Sequence, residues 1–163
     1  MEHISEVHKG YEKSTLQRLR ADQPVLVRLD GHRFSSFTKG FHKPYDMRIF
    51  RAMLNASSDL LGQLNPISVF TQSDEITMVF GKQDEHAGQT LPFMGKTQKF
   101  ASLASAYCSV RFGYHLEKEL EASDPALLQI KKGIAHFDAR VFNVPDAVAV
   151  AENLMWRQND AKV

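Results

Sequence analysis

Asp30 stands at the end of a short apolar run, Pro24-Val25-Leu26-Val27-Arg28-Leu29, and Gly31 follows it at once. A strand would carry this carboxylate to the edge of a core, where it suits a hard cation such as Mg²⁺. Gly31 lets the backbone approach something closely, or turn where a side chain would clash. His32, Arg33 and Ser35 come next, then Lys39 and Lys43, and cations placed there would hold phosphate oxygens. A metal-bound polyphosphate fits all of these residues. An ordinary Asp-Gly turn fits Asp30 and Gly31 equally well, and the stretch by itself leaves both readings open.

A second acidic feature lies further on, where Gln72-Ser73-Asp74-Glu75 joins two β-rich runs, Ile67 to Thr71 and Ile76 to Phe80. Such a pattern predicts a hairpin. An acidic turn on a surface is common, so this pair also has a plain reading. Lys96 and Lys99 sit at the start of a long helical stretch, where the helix dipole disfavours cations. A bound phosphate would relieve that conflict, and two solvated lysines would equally account for them.

The elements that must position these residues follow from periodicity. A polar segment, Met1 to Asp22, has Tyr11, Leu16 and Leu19 at roughly helical spacing, which predicts a short helix lying across the domain. The strand Pro24 to Leu29 leads into a loop pinned by Phe34, Phe37 and Phe41. Asp46 is placed as the N-cap of a helix whose buried stripe is Phe50, Met53, Leu54, Ser57, Leu60, Leu61 and Leu64, ended by Gly62 and Asn65-Pro66. After the hairpin, Gly81 to Gly95 reads as a loop or lid. Thr97 to about Ala122 is a long helix with Leu103, Tyr107, Val110 and Tyr114 as its inner stripe. Ser123-Asp124-Pro125 opens a short helix to about Lys132. Ala135, Phe137, Ala139 and Val141 then alternate with His136, Asp138 and Arg140, a strand with one apolar and one polar face. Asn143 to Asp146 turns, and Glu152 to Val163 reads as a helix with Leu154, Met155 and Trp156 as its apolar face.

The order is β-α-β-β-α-β with helices at both ends. This predicts an α+β fold of ferredoxin-like type, an antiparallel sheet with helices packed on one face and the other face free for a ligand. In that topology the first strand and the hairpin are neighbours, so Asp30 and Asp74 meet. Like charges brought close repel unless a cation lies between them. Two carboxylates, two Mg²⁺ ions and a triphosphate make up a nucleotidyl-transfer site.

Composition bounds the rest. The chain has 163 residues, 43% hydrophobic and 24% charged, enough for one domain with a core. A net charge of +1 means that any nucleic-acid partner is held by a local basic patch. The single cysteine, Cys108, excludes an intrachain disulfide framework and a Cys-rich zinc site. With no apolar signal region and no apolar run long enough to cross a bilayer, the sequence predicts a soluble, cytoplasmic protein without a membrane partner.

Several motifs also follow one another in a recognisable order: Arg28-Leu29-Asp30-Gly31-His32-Arg33-Phe34, Lys43-Pro44-Tyr45-Asp46, Thr71-Gln72-Ser73-Asp74-Glu75, Phe137-Asp138-Ala139-Arg140, and Trp156-Arg157-Gln158-Asn159-Asp160-Ala161. In these the chain resembles the tRNA-His guanylyltransferase family and its relatives in bacteria and phages, over nearly its whole length from Pro24 onward. The resemblance implies a single domain over residues 1–163 like a polymerase palm, adding a nucleotide, typically GMP from GTP, to the 5′ end of tRNA in the 3′-to-5′ direction. It implies that Asp30, Asp74 and Glu75 are catalytic, and that Asp30, Asp74 and the Gly31 carbonyl bind two Mg²⁺ ions. Asp30, Gly31, His32, Arg33, Phe34, Ser35, Lys43, Asp46, Ser73 and Asp74 would contact the nucleotide, GTP or alternatively ATP. It further implies a dimer or tetramer. His32 stands where many members have Arg, and Ser35 where eukaryotic members have His. The family continues past the Trp-Arg motif into further helices, so the chain reads as a fragment or a short version. Two competing functions fit the same residues: a module that binds a nucleoside triphosphate without turnover, and a palm-type nucleotide cyclase.

Overall fold

Residues 2–84 and 90–160 are described by the computed structural model. The apolar run closing on Asp30-Gly31 forms β1 (Val25–Gly31), and the two β-rich runs form β2 (Ser68–Gln72) and β3 (Glu75–Phe80). The alternating segment forms β4 (Phe137–Asn143). They make a four-stranded sheet in the order β2-β3-β1-β4, antiparallel at every pairing. The helices are α1 (Glu2–Lys13), α2 (Phe34–Phe37), α3 (Met47–Leu64), α4 (Thr97–Ser123), α5 (Pro125–Lys131) and α6 (Ala147–Asp160). The α+β, ferredoxin-like expectation therefore holds.

Val25, Val27 and Leu29 of β1, with Ile76, Met78 and Phe80 of β3, point to the side on which α3 and α4 pack. A set of aromatic rings closes the core at the β1 end. Phe34 lies 5.5 Å from Phe112 and 5.2 Å from Phe137 between ring centroids. The predicted anchors Phe34, Phe37 and Phe41 are all buried, and the first two sit on a single helical turn rather than a loop.

The helix phases differ from the periodicity reading. On α3 the buried face is Ala52, Met53, Ala56, Ser57 and Leu60, while Phe50, Leu54 and Leu61 are exposed. Small residues face the core here, and they let α3 lie close against α4. On α4 the buried line is Phe100, Ala104, Cys108, Phe112, Leu116 and Leu120; Leu103, Val110 and Tyr114 are exposed and Tyr107 is half-buried. This helix carries two apolar lines. The one with Phe100 and Phe112 faces inward because their rings meet Phe80, Phe93, Phe34 and Phe137.

The ends of the chain also differ. Helix α1 stops at Lys13, every side chain from His3 to Lys13 is exposed, and only Leu19, beyond the helix, packs on the core. It does not lie across the domain. Helix α6 begins at Ala147, and Met155 and Trp156 are exposed while Leu154 is half-buried, so these three do not form one buried face. Consecutive helical residues point in different directions, which is the reason. Part of the expected lid, including Glu85, His86 and Gly88, and the last residues of the expected final helix lie outside the described residues. Among the described residues, no helix is long and apolar enough to cross a membrane.

Candidate active site at the end of the central strands

The strand registers sort the exposed chemistry into rows. Alternation along a strand puts Leu26, Arg28 and Asp30 on the sheet face away from α3 and α4. Asp30 pairs with Glu75 on one side and Asp138 on the other; Arg28 pairs with Thr77 and Arg140. An acidic row, Glu75-Asp30-Asp138, therefore lies beside a row holding two arginines. Like charges directly opposite in a sheet repel, and the Arg28 Nε is buried without a hydrogen-bond partner. Two guanidinium groups in that setting suit an anion.

Asp74 joins the acidic row through the backbone. The Gly31 N–H donates to the Asp74 carbonyl at 3.0 Å, closing the end of β1 onto the hairpin turn. Ser73 takes a left-handed backbone, φ 52°, in that turn, and its Oγ donates to Asp74 Oδ1 at 3.2 Å. Gly31 is required for a different reason: a Cβ there would lie 2.5 Å from the Phe34 ring. The close approach predicted at this glycine is thus to an aromatic ring of the core.

Electrostatics mark the same pair. Burial pushes the Asp30 carboxyl above its usual range, and Asp74, Glu75 and Asp138 push further, against the pull of Arg28. Asp74 is raised as well, first by burial, with Ser73 and a backbone N–H pulling the other way. A divalent cation would reverse both effects. Among the described residues, no three acidic, histidine or cysteine groups form a ready-made cage. Asp30, Asp74 and the Gly31 carbonyl still fit Mg²⁺, which is held by one or two carboxylates together with substrate phosphates and water.

The remaining expected residues divide. His32 and Arg33 are exposed beside Gly31, with the His32 N–H donating to the His136 carbonyl at 2.8 Å and the two imidazole rings stacked at 4.8 Å. Ser35 is exposed on α2. The Phe34 ring belongs to the core, leaving only its backbone for a ligand. Lys43 is exposed, its Nζ donating to Thr38 Oγ1 at 3.2 Å. Asp46 is the N-cap of α3, as its position predicts, and is buried. Its carboxylate accepts from the backbone N–H groups of His42 and Arg48, at 2.9 Å each, and from the Arg48 guanidinium. Arg48 holds this carboxyl far below the usual range, and each of its oxygens accepts two hydrogen bonds within the fold. Glu75 is also engaged. Both of its oxygens are taken by Arg157 of α6, one of them from Nε at 2.9 Å.

Asp138, Arg28, Arg140 and the Arg157 fork extend the set that sequence reasoning named as the site. The polar face of β4 signalled Asp138 and Arg140, since alternation places both on the side of Asp30. This face, expected to be free, is not wholly open. α6 reaches it through Arg157, whose carbonyl also accepts from Gln72 Nε2.

Residues 5–145 match the tRNAHis guanylyltransferase family. The chain belongs to this family. Among relatives, it is 35% identical to an uncharacterised protein of Acanthamoeba polyphaga mimivirus, over 96% of this chain and 58% of that protein. It is 26% identical to the tRNA(His) guanylyltransferase of Debaryomyces hansenii, over 95% of this chain and 55% of that enzyme. A bacterial tRNA(His) guanylyltransferase-like protein in complex with GTP superposes with a TM-score of 0.85 at 30% identity, covering 97% of this chain and 70% of that one. Such a bacterial protein in complex with ATP superposes equally well, TM-score 0.85 at 29% identity, over 97% of this chain and 64% of that one. The chain thus spans somewhat more than half the length of the curated relatives it matches. The guanylyltransferase-family match covers β1, the hairpin, α4 and β4, and so every strand that carries the acidic row.

Proposed function

We propose that this chain carries the palm of a Mg²⁺-dependent nucleotidyltransferase that adds a nucleotide, GMP from GTP, to the 5′ end of a tRNA in the 3′-to-5′ direction. The carrying observation is the meeting of Asp30 and Asp74 at the end of β1, on one edge with an exposed His32-Arg33-Ser35 segment. Relatives that bind GTP and ATP on the same fold support a nucleoside triphosphate as the ligand.

Asp30 and Asp74 would hold the metal, with the Gly31 carbonyl as a further ligand. Two Mg²⁺ ions held there would supply Lewis-acid activation of the attacking oxygen and charge neutralisation on the departing pyrophosphate. Arg33 and Lys43 contribute cations toward the phosphate oxygens, and Ser35 offers a hydroxyl donor. The Ser73 hydroxyl orients Asp74 by hydrogen bond. The chemistry is positioning and charge stabilisation, with no protein nucleophile. A tRNA partner, work in the cytoplasm and assembly into a dimer or tetramer belong to the same proposal.

The test is incubation of the protein with radiolabelled GTP, Mg²⁺ and a 5′-triphosphorylated tRNA, whose terminal pyrophosphate is the leaving group when the GTP 3′-hydroxyl attacks. An RNA extended at its 5′ end is expected. A cyclic nucleotide would instead identify a cyclase, and GTP bound but unconverted would identify a binding module.

A further inference from the structure

Glu75 stands in the acidic row directly across from Asp30, yet it is not a free carboxylate. Arg157 grips both oxygens in a fork, and Glu75 and Arg157 have side-chain exposures of only 14% and 16%. Gln72, which pairs with Glu75 in the β2–β3 ladder, donates to the Arg157 carbonyl, so the hairpin holds this helix turn by side chain and backbone together. Arg157 is itself steadied by Asp160 at 2.9 Å and by the Trp156 ring, 4.7 Å from its guanidinium. A bidentate fork of this kind fixes orientation as well as charge.

We propose that Arg157 is a positioning residue that keeps Glu75 out of the metal-holding set, so that docking of α6 sets the net charge of the site. With the fork closed, Asp30 and Asp74 face the cation and Glu75 is neutralised. With the fork open, an uncompensated carboxylate lies beside Asp30. The site then attracts a divalent cation more strongly and offers it a ligand in the wrong place. This rests on the reading of Asp30 and Asp74 as the metal-holding pair.

Mn²⁺ binding, followed by electron paramagnetic resonance on the full chain without nucleotide, reads this directly. R157Q is expected to bind Mn²⁺ about tenfold more tightly than the parent, the order of effect of one uncompensated charge a few ångströms away. R157K, which retains the charge, should stay within about threefold of the parent. The double variant R157Q/E75Q removes one charge of each sign and should return to within about threefold of the parent, the signature of coupling between two residues in contact. An R157Q protein that binds as the parent does overturns the proposal. So does a weakened affinity that persists in the double variant, because Arg157 would then act only by holding α6 in place, or Glu75 would itself be a ligand. Should R157Q fail to fold, the comparison of E75Q with the double variant decides: E75Q removes the carboxylate beside Asp30 while Arg157 keeps its charge, and binds more weakly, and the double variant recovers. D30N separates the two readings. If D30N binds Mn²⁺ like the parent, the metal site itself is misplaced and both fall; if D30N loses binding while R157Q is unchanged, only the present inference falls.

Discussion

Asp30 lies directly across the β1–β4 ladder from Asp138, and the two carboxylates share a sheet face with Glu75. Burial, followed by repulsion from Asp74, Glu75 and Asp138, raises the Asp30 carboxyl above its ordinary value. A carboxyl raised by folding stabilises the native state fully below its unfolded value, near pH 4, and that contribution is lost as the pH rises through the raised value. Asp30→Asn is therefore expected to raise the melting temperature of the metal-free protein at pH 7, with the gain shrinking toward zero near pH 3. Thermal melts of both proteins in chelator across that range check it. A variant that melts below the parent at pH 7 would show that the row is not under electrostatic strain.

Asp46 has the opposite sign. Its carboxyl is depressed, chiefly by Arg48, so its contribution is present above the unfolded value and is lost as the pH falls. Asp46→Ala removes a helix cap and takes from the largely buried Arg48 guanidinium its carboxylate partner, leaving it the Ser123 hydroxyl. A loss of about 2–4 kcal/mol is expected at pH 7, measured by urea unfolding, and a smaller one at pH 3. GTP affinity of the folded fraction should change little, since both Asp46 oxygens already have partners in the fold.

Gly31→Ala would set a methyl carbon within 2.8 Å of three atoms of the Phe34 ring. Overpacking of this kind costs about 1–3 kcal/mol. The strain falls on the hydrogen bond that joins Gly31 to Asp74, so divalent-cation affinity should fall together with stability. Phe34→Leu in the same chain frees space at the ring edge and is expected to recover part of both. Equal losses in the single and double variants would show that the ring is not what excludes a side chain at this position.

The two apolar lines of α4 predict unequal costs. Phe112→Ala opens a cavity among Phe34, Phe37 and Phe137 and should destabilise by about 3–5 kcal/mol. Leu103→Ala, on the exposed line, should change stability by no more than about 0.5 kcal/mol. Chemical denaturation of the two variants decides which line faces the core.

Lys43 presents a point charge on an exposed loop. Lys43→Ala is expected to weaken GTP more than GMP, because a lysine acts on phosphate charge. Equal losses in calorimetric titrations with the two nucleotides would place it on the base or the ribose.

What the sequence determined by itself was local. The strand ending at Asp30-Gly31, the hairpin at Ser73-Asp74, the cap at Asp46 and the alternation of β4 are each written in a few adjacent residues, where backbone geometry and hydrogen bonding act at short range. The same alternation set Asp138 and Arg140 on the polar face of β4, and the pairing of β4 with β1 made that the face of Asp30. Tertiary structure decided the rest. Leu103 and Phe112 both lie on apolar lines of one helix, and periodicity does not rank them; the inner one is chosen by the rings that come from β4 and α2. Met155 and Trp156 look like core residues and remain exposed, while the residue that follows them, Arg157, turns inward, its side chain to Glu75 and its carbonyl to Gln72. Glu75 looks like a catalytic carboxylate beside Asp74, and only the approach of a helix from the far end of the chain gives it a cation. Charge pairing and ring packing between distant segments depend on where the backbone carries each side chain, and no local pattern of residues encodes that.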